Sequence, residues 1–270
     1  MAESKSVDSV DLAKFIASIL IFSMHANALG DFRYAAYVLE LLARWGVPFF
    51  FVCSAYFLFR KMLTGRGIDK QTILTYSSRI GLLYMLWLLF NLPSVFVSRL
   101  YYKDLHSIGT WLTFIKRSFL SSTFTGSWYL MSSIFSAWAI YVLSKKLKTG
   151  ATIAVTFIPF SLCAFTSIYA GIMPTCIRGA LSFFCFPLNI FNGVFYFALG
   201  KMLAENTNLI RKVISSRLIV LLVIVCYGFY VIEVIIGKRN GILANTDVGF
   251  SLPILACLLG ILCLKTTTIP

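Results

Sequence analysis

Residues 11–27 read DLAKFIASILIFSMHAN. The run is small or apolar almost throughout, and it approaches the ~20 residues a helix needs to cross a bilayer. Lys14 and His25 interrupt it. Eleven positions make about three helical turns, so the two side chains leave nearly the same face, ~16 Å apart along the axis. Ionisable groups within a bilayer cost at least ~2.5–3.5 kcal/mol each on insertion scales and default to functional candidates.

Seven more apolar runs follow, at 36–58, 73–98, 127–144, 151–171, 186–203, 217–236 and 248–265. The chain is 59% hydrophobic and 13% charged, with a mean hydropathy of +0.85. A soluble domain carries roughly twice that charged share. Backbone polar groups cannot face lipid, so each run is expected to be a helix. The fold class is therefore all-α: a polytopic transmembrane helix bundle of about eight helices, one domain over 1–270. The first run carries Lys14 and His25 and has no small-residue cleavage site, so it reads as a span and not a signal peptide.

The net charge of +14 is topological in origin. Arg60, Lys61, Arg66 and Lys70 fill one loop, Lys145, Lys146 and Lys148 the next alternate loop, and Lys201, Arg211, Lys212 and Arg217 the third. The intervening loops are leaner. Positive-inside logic places the amino terminus in the cytoplasm of a multi-pass cell-membrane protein, and nucleic acid is not an expected partner. Residues 108–120 carry Trp111, Ile115 and Phe119 on one helical face with Lys116 and Arg117 off it, the pattern of a short interfacial helix. The seven cysteines form no CxxC pair and the histidines number two, so no metal site is expected.

The second run, ARWGVPFFFVCSAYFLFRK, puts Arg44 at a depth similar to that of His25. An arginine there seeks a carboxylate, phosphate or carbonyl cluster, and Glu40 lies one turn away. Pro48 removes a helical hydrogen bond and can open the helix toward a cavity. Arg79 near the start of the third run joins Lys14, Arg60 and Lys61 in an inner basic layer. Glu233 is a carboxylate partner for His25 or Arg44, or a rim residue answering Lys238. Trp128 and Tyr129 open the fourth run as an aromatic belt or as site residues.

Four stretches carry a resemblance. VDLAKFIASILIFSMHAN is similar to a pattern of a basic residue, ten positions, then histidine. RWGVPFFFVCSAYFLFRK is similar to an arginine followed by Val-Pro-Phe-Phe and Ser-Gly-Tyr, with Ala55 here in the glycine's place. Arg79 follows the first cytoplasmic loop, and GSWYLMSSI is similar to a Leu-Trp-Tyr-Leu stretch. The chain thus resembles the acyltransferase 3 family, which includes O-acetyltransferases of bacterial surface polysaccharides and membrane domains fused to amino-acid racemases. The resemblance implies a membrane enzyme using cytoplasmic acetyl-CoA or another acyl-CoA. It implies functional roles at Lys14, His25, Arg44 and Arg79. The family's fold has about ten helices, so the last ones are expected to be missing here.

The expected chemistry is acyl transfer to a hydroxyl of a surface glycan or lipid-linked sugar. His25 would be the base or transient acyl carrier, Glu233 its orienting partner, and Arg44 the stabiliser of developing charge. Lys14, Arg79, Arg60 and Lys61 would hold the coenzyme's phosphates. Buried His, Arg and Glu on helices also suit a small-solute transporter; a third class is a sensing or anchoring domain.

Overall fold

A computed structural model describes residues 8–30, 32–65, 67–95, 107–124, 126–184, 186–213 and 215–266. Arg66, Arg99, Lys103 and Cys185 lie outside these residues. The described residues form helices and connecting turns, with no strand among them. In chain order the helices are α1 (Asp8–His25), α2 (Arg33–Ala43), α3 (Gly46–Thr64), α4 (Lys70–Val95), α5 (Ile108–Leu120) and α6 (Ser127–Ser144). Then come α7 (Thr149–Phe165), α8 (Thr175–Phe183), α9 (Asn192–Glu205), α10 (Thr207–Val213), α11 (Ser216–Arg239) and α12 (Ser251–Thr266). Each of the eight apolar runs carries a helix over most of its described residues, the sixth only from Asn192 onward, and the amphipathic stretch 108–120 is α5.

Arg33–Thr64, Lys70–Ser94 and Ser216–Arg239 are long and apolar enough to cross a membrane, and Thr149–Phe165 and Ser251–Lys265 are shorter apolar helices. The surface agrees with a lipid environment. Leu12, Phe15, Ile16, Ile19 and Phe22 on α1, Leu82, Leu86, Leu89 and Phe90 on α4 and a ladder of Val, Leu and Ile on α11 all project outward. In water, apolar faces of that extent would drive association.

The second run breaks into α2 and α3 at Arg44 and Trp45. Pro48 supplies the reason. Its nitrogen would be the donor to the carbonyl of Arg44, and proline has none, whereas Phe49 N–H does reach the Trp45 carbonyl at 3.0 Å. Arg44 and Trp45 keep right-handed helical backbone angles, so the hydrogen-bond ladder is interrupted within one long span, and Arg44 and Pro48 both line the cavity beside the interruption.

The centre of the bundle is the α3–α9 pair, flanked by α6, α7 and α12; α1 packs on α2, α3 and α12, α4 on α6, and α11 on α12. Two glycines set this closeness. A Cβ on Gly200 would stand 2.5 Å from both the Val52 carbonyl oxygen and the Ala55 Cβ. One on Gly193 would meet Ser132 Oγ at 2.6 Å and Phe51 at 2.7 Å. Small residues that let backbones approach are how membrane helices gain packing energy, since lipid offers no hydrophobic drive. The Phe51 ring anchors the junction, within 4.6 Å of the Tyr129 ring centre and stacked with Tyr196 at 5.9 Å.

Candidate functional site

At one end of the bundle a narrow cavity of about 70 Å³ lies between α1, the α2–α3 break and the start of α9. His25, Arg44, Pro48, Trp128, Asn192, Tyr196 and Asp247 line it, with Ile21, Met24, Phe51 and Leu188 as apolar wall. His25 closes α1 and is exposed. Its imidazole lies within electrostatic reach of both Arg44 and Asp247.

Arg44 sits in a polar cage. Its Nε donates to Thr246 Oγ1 at 2.8 Å, one terminal nitrogen to Glu40 Oε1 at 2.6 Å, and the other to Asp247 Oδ1 in a close ion pair. Thr246 Oγ1 also donates to Glu40, which ties the cage together. Glu40 is thus the partner expected one helical turn away. Asp247 is the one the sequence reading left out.

Asp247 lies in the turn between α11 and α12, and its neighbours hang that turn from α7 and α11. Ser167 Oγ accepts from Val248 N–H at 2.9 Å, the Ser167 carbonyl accepts from Ala244 N–H at 3.1 Å, and Tyr230 Oη donates to the Thr246 carbonyl at 3.1 Å. Burial pushes the Asp247 carboxyl up from its ordinary value, while the Arg44 guanidinium pulls it back down. Few signals in the sequence mark this residue. The chain has only ten carboxylates, and the segment 240–250 is polar between two apolar runs, which is the trace that points there.

Glu233 does not join His25 or Arg44. Its carboxylate accepts from Tyr169 Oη at 2.5 Å, Phe250 N–H at 3.1 Å, Ser251 N–H at 3.2 Å and the Ser251 hydroxyl. It caps the start of α12, where orphan N–H groups favour an anion. The choice between a site carboxylate and a rim residue answering Lys238 resolves to neither, since Lys238 lies 4.3 Å over the Tyr37 ring.

The expected inner layer lies elsewhere on the bundle. Lys14 does not line the His25 cavity. Its Nζ sits 5.0 Å from the Phe57 ring centre and 3.8 Å from Asp11. Arg60, one turn beyond Phe57, is half-buried, and Lys61 and Arg79 are exposed. None of these three has a carboxylate partner among the described residues. The structure therefore separates His25 with Arg44 from Lys14 by most of the length of α1.

A second pocket of about 440 Å³ opens beside the first and shares Asp247 and Leu188 with it. Arg117, Ser121, Ser122, Ser182 and Asn245 give it a polar lining. Arg117 belongs to the amphipathic helix α5, so that helix forms one wall.

Comparisons with known proteins agree with this architecture. An amino-acid racemase of Enterococcus faecalis is 25% identical over 222 residues, covering 78% of this chain and 30% of that protein. The chain thus spans only about a third of that relative's length. No solved structure matches. The family model described as "Acyltransferase domain" matches residues 7–269, nearly the whole chain, and the chain accordingly belongs to the acyltransferase 3 family of membrane acyltransferases.

Proposed function

We propose that this protein moves an acetyl or other short acyl group from a cytoplasmic acyl-CoA to a hydroxyl of a surface glycan or lipid-linked sugar. The observation that carries the reading is the cavity that gathers His25, Arg44 and Asp247 at the end of the bundle away from Lys14, Arg60 and Lys61. His25 takes the proton of the attacking hydroxyl as general base. Asp247, close by and paired with Arg44, stabilises the imidazolium that forms. Arg44 carries one positive charge between two carboxylates, so it acts chiefly as a positioning residue for Asp247.

The neighbouring pocket with Ser121, Ser182, Asn245 and Arg117 supports a polyhydroxylated acceptor, which would reach His25 past Asp247. At the other end, Lys14, Arg60, Lys61 and Arg79 supply cations for the phosphates of the coenzyme. The small volume of the His25 cavity favours a short acyl group over a long one.

The test uses membranes holding the full chain and [¹⁴C]acetyl-CoA. Wild-type protein should pass label into glycan or lipid-linked material and release free thiol; a permease would leave the thioester intact. His25→Ala should insert and fold normally yet transfer no label. Arg79→Ala should raise the KM for acetyl-CoA with a smaller effect on kcat. Normal labelling by His25→Ala would refute the role of the imidazole.

A further inference from the structure

Asn192 opens α9 at the floor of the His25 cavity. Its side chain is only 2% exposed, and its Oδ1 has no hydrogen-bond partner. Buried polar groups are almost always paired, and an orphan costs the desolvation of that group. Nothing local explains this one. The backbone donors beside it are already matched: Asn192 N–H reaches the Asn189 carbonyl at 3.2 Å, Gly193 N–H reaches Ser132 Oγ at 3.0 Å, and Val194 N–H reaches the Phe191 carbonyl at 3.3 Å; the Ser136 hydroxyl beside Gly193 is a second unpaired buried group at this place.

The reaction read above needs a donor for a developing oxyanion, and Arg44 is a poor one. Its three nitrogens are directed to Glu40, Thr246 and Asp247, and two carboxylates oppose its charge. The first N–H groups of α9 are occupied as well, so the helix contributes only the positive end of its dipole. Of the donors that line the cavity besides Arg44, namely the Trp128 indole, the Tyr196 hydroxyl and the Asn192 carboxamide, Asn192 alone combines an unpaired buried atom with a place at the start of α9. No partner fixes its oxygen, so the amide can turn end for end and present Nδ2–H to the cavity.

We propose that Asn192 is a catalytic residue that donates a hydrogen bond to the thioester carbonyl oxygen as it becomes an oxyanion. This rests on the acyl-transfer reading. The acceptor oxygen bonds to the carbonyl carbon while His25 takes its proton, and the C=O electron pair moves onto the oxygen that faces Asn192. Collapse breaks the C–S bond, and the coenzyme thiolate leaves with the proton returned by the imidazolium. The positive end of the α9 dipole points to the same spot, which adds to the effect in a water-poor site.

The experiment compares wild type, Asn192→Ala and Asn192→Asp in the [¹⁴C]acetyl-CoA assay, with thermal stability and binding of a non-transferable acyl-CoA analogue measured alongside. Loss of an oxyanion donor lowers kcat by about 10²–10³-fold, with KM for the donor and analogue binding near wild type. Asn192→Asp keeps the volume but opposes the oxyanion with like charge, so it should fall at least as far while remaining folded. If both variants turn over within about 3-fold of wild type, the oxyanion role is overturned while acyl transfer stands. If only analogue binding weakens, with kcat retained, Asn192 acts in binding and the proposal fails. Wild type that transfers no label overturns this inference and the acyl-transfer reading together.

Discussion

Two carboxylates separate at the scale of single residues. Glu233 and Asp247 both lie beside the α11–α12 turn, but only Asp247 reaches the cavity with His25 and Arg44. Their variants should therefore behave differently. Asp247→Asn keeps the shape and removes the charge that supports the imidazolium. It should cut kcat by about 10²–10⁴-fold, the range of general-base assistance, measured by label transfer on folded protein. Glu233→Gln removes the charge and turns one of the two oxygens that cap α12 into an NH2 donor. It should cost about 1–3 kcal/mol of stability, seen as a lower melting temperature, while the folded fraction keeps its turnover. Equal activity losses in the two variants would show that the assignment of roles is wrong.

The elements are held by two devices visible in the chain: a proline that breaks a helix and glycines that let helices touch. Pro48 leaves the Arg44 carbonyl without its helical donor, and at this interruption the guanidinium reaches Thr246 and Asp247 in the α11–α12 turn. Gly200 and Ala55 meet across the α3–α9 contact, so the small residue in the Ser54-Ala55-Tyr56 segment has a packing reason. Gly200→Val would force branched carbons against backbone 2.5 Å away from the first of them. Overpacking of this kind costs about 1–3 kcal/mol or more. The expected outcome is a lower thermal midpoint and loss of activity in step with it, whereas Gly150→Ala, where a Cβ meets nothing within 4 Å, should leave both unchanged.

For the whole molecule the question is which end faces the cell exterior. By the cation count of alternate loops the His25 end is expected to face outside. Cys176 on α8 is exposed, and α8 follows α7 away from the end that carries Lys145, Lys146 and Lys148. A membrane-impermeant maleimide applied to intact cells should therefore label wild-type protein at Cys176, and Cys176→Ala should remove that label. Labelling of Cys176 only after the membrane is opened would reverse the orientation and with it the sidedness of donor and acceptor.

Composition and the spacing of apolar runs determined that this is a helical membrane bundle, because lipid tolerates few alternatives to a helix and the runs have the length of one. Local pattern also marked α5, the helix break at Arg44 and the Glu40 partner, since each depends on residues within a few turns of one another. Asp247 and Asn192 were decided only by tertiary structure. They lie more than 160 residues apart from His25 along the chain, and an asparagine or aspartate at the edge of an apolar run has no periodicity that distinguishes a cap from a cavity wall. The placement of Glu233 was hidden for the same reason: which groups a carboxylate meets depends on how the α11–α12 turn folds back onto Ser167 and Tyr230.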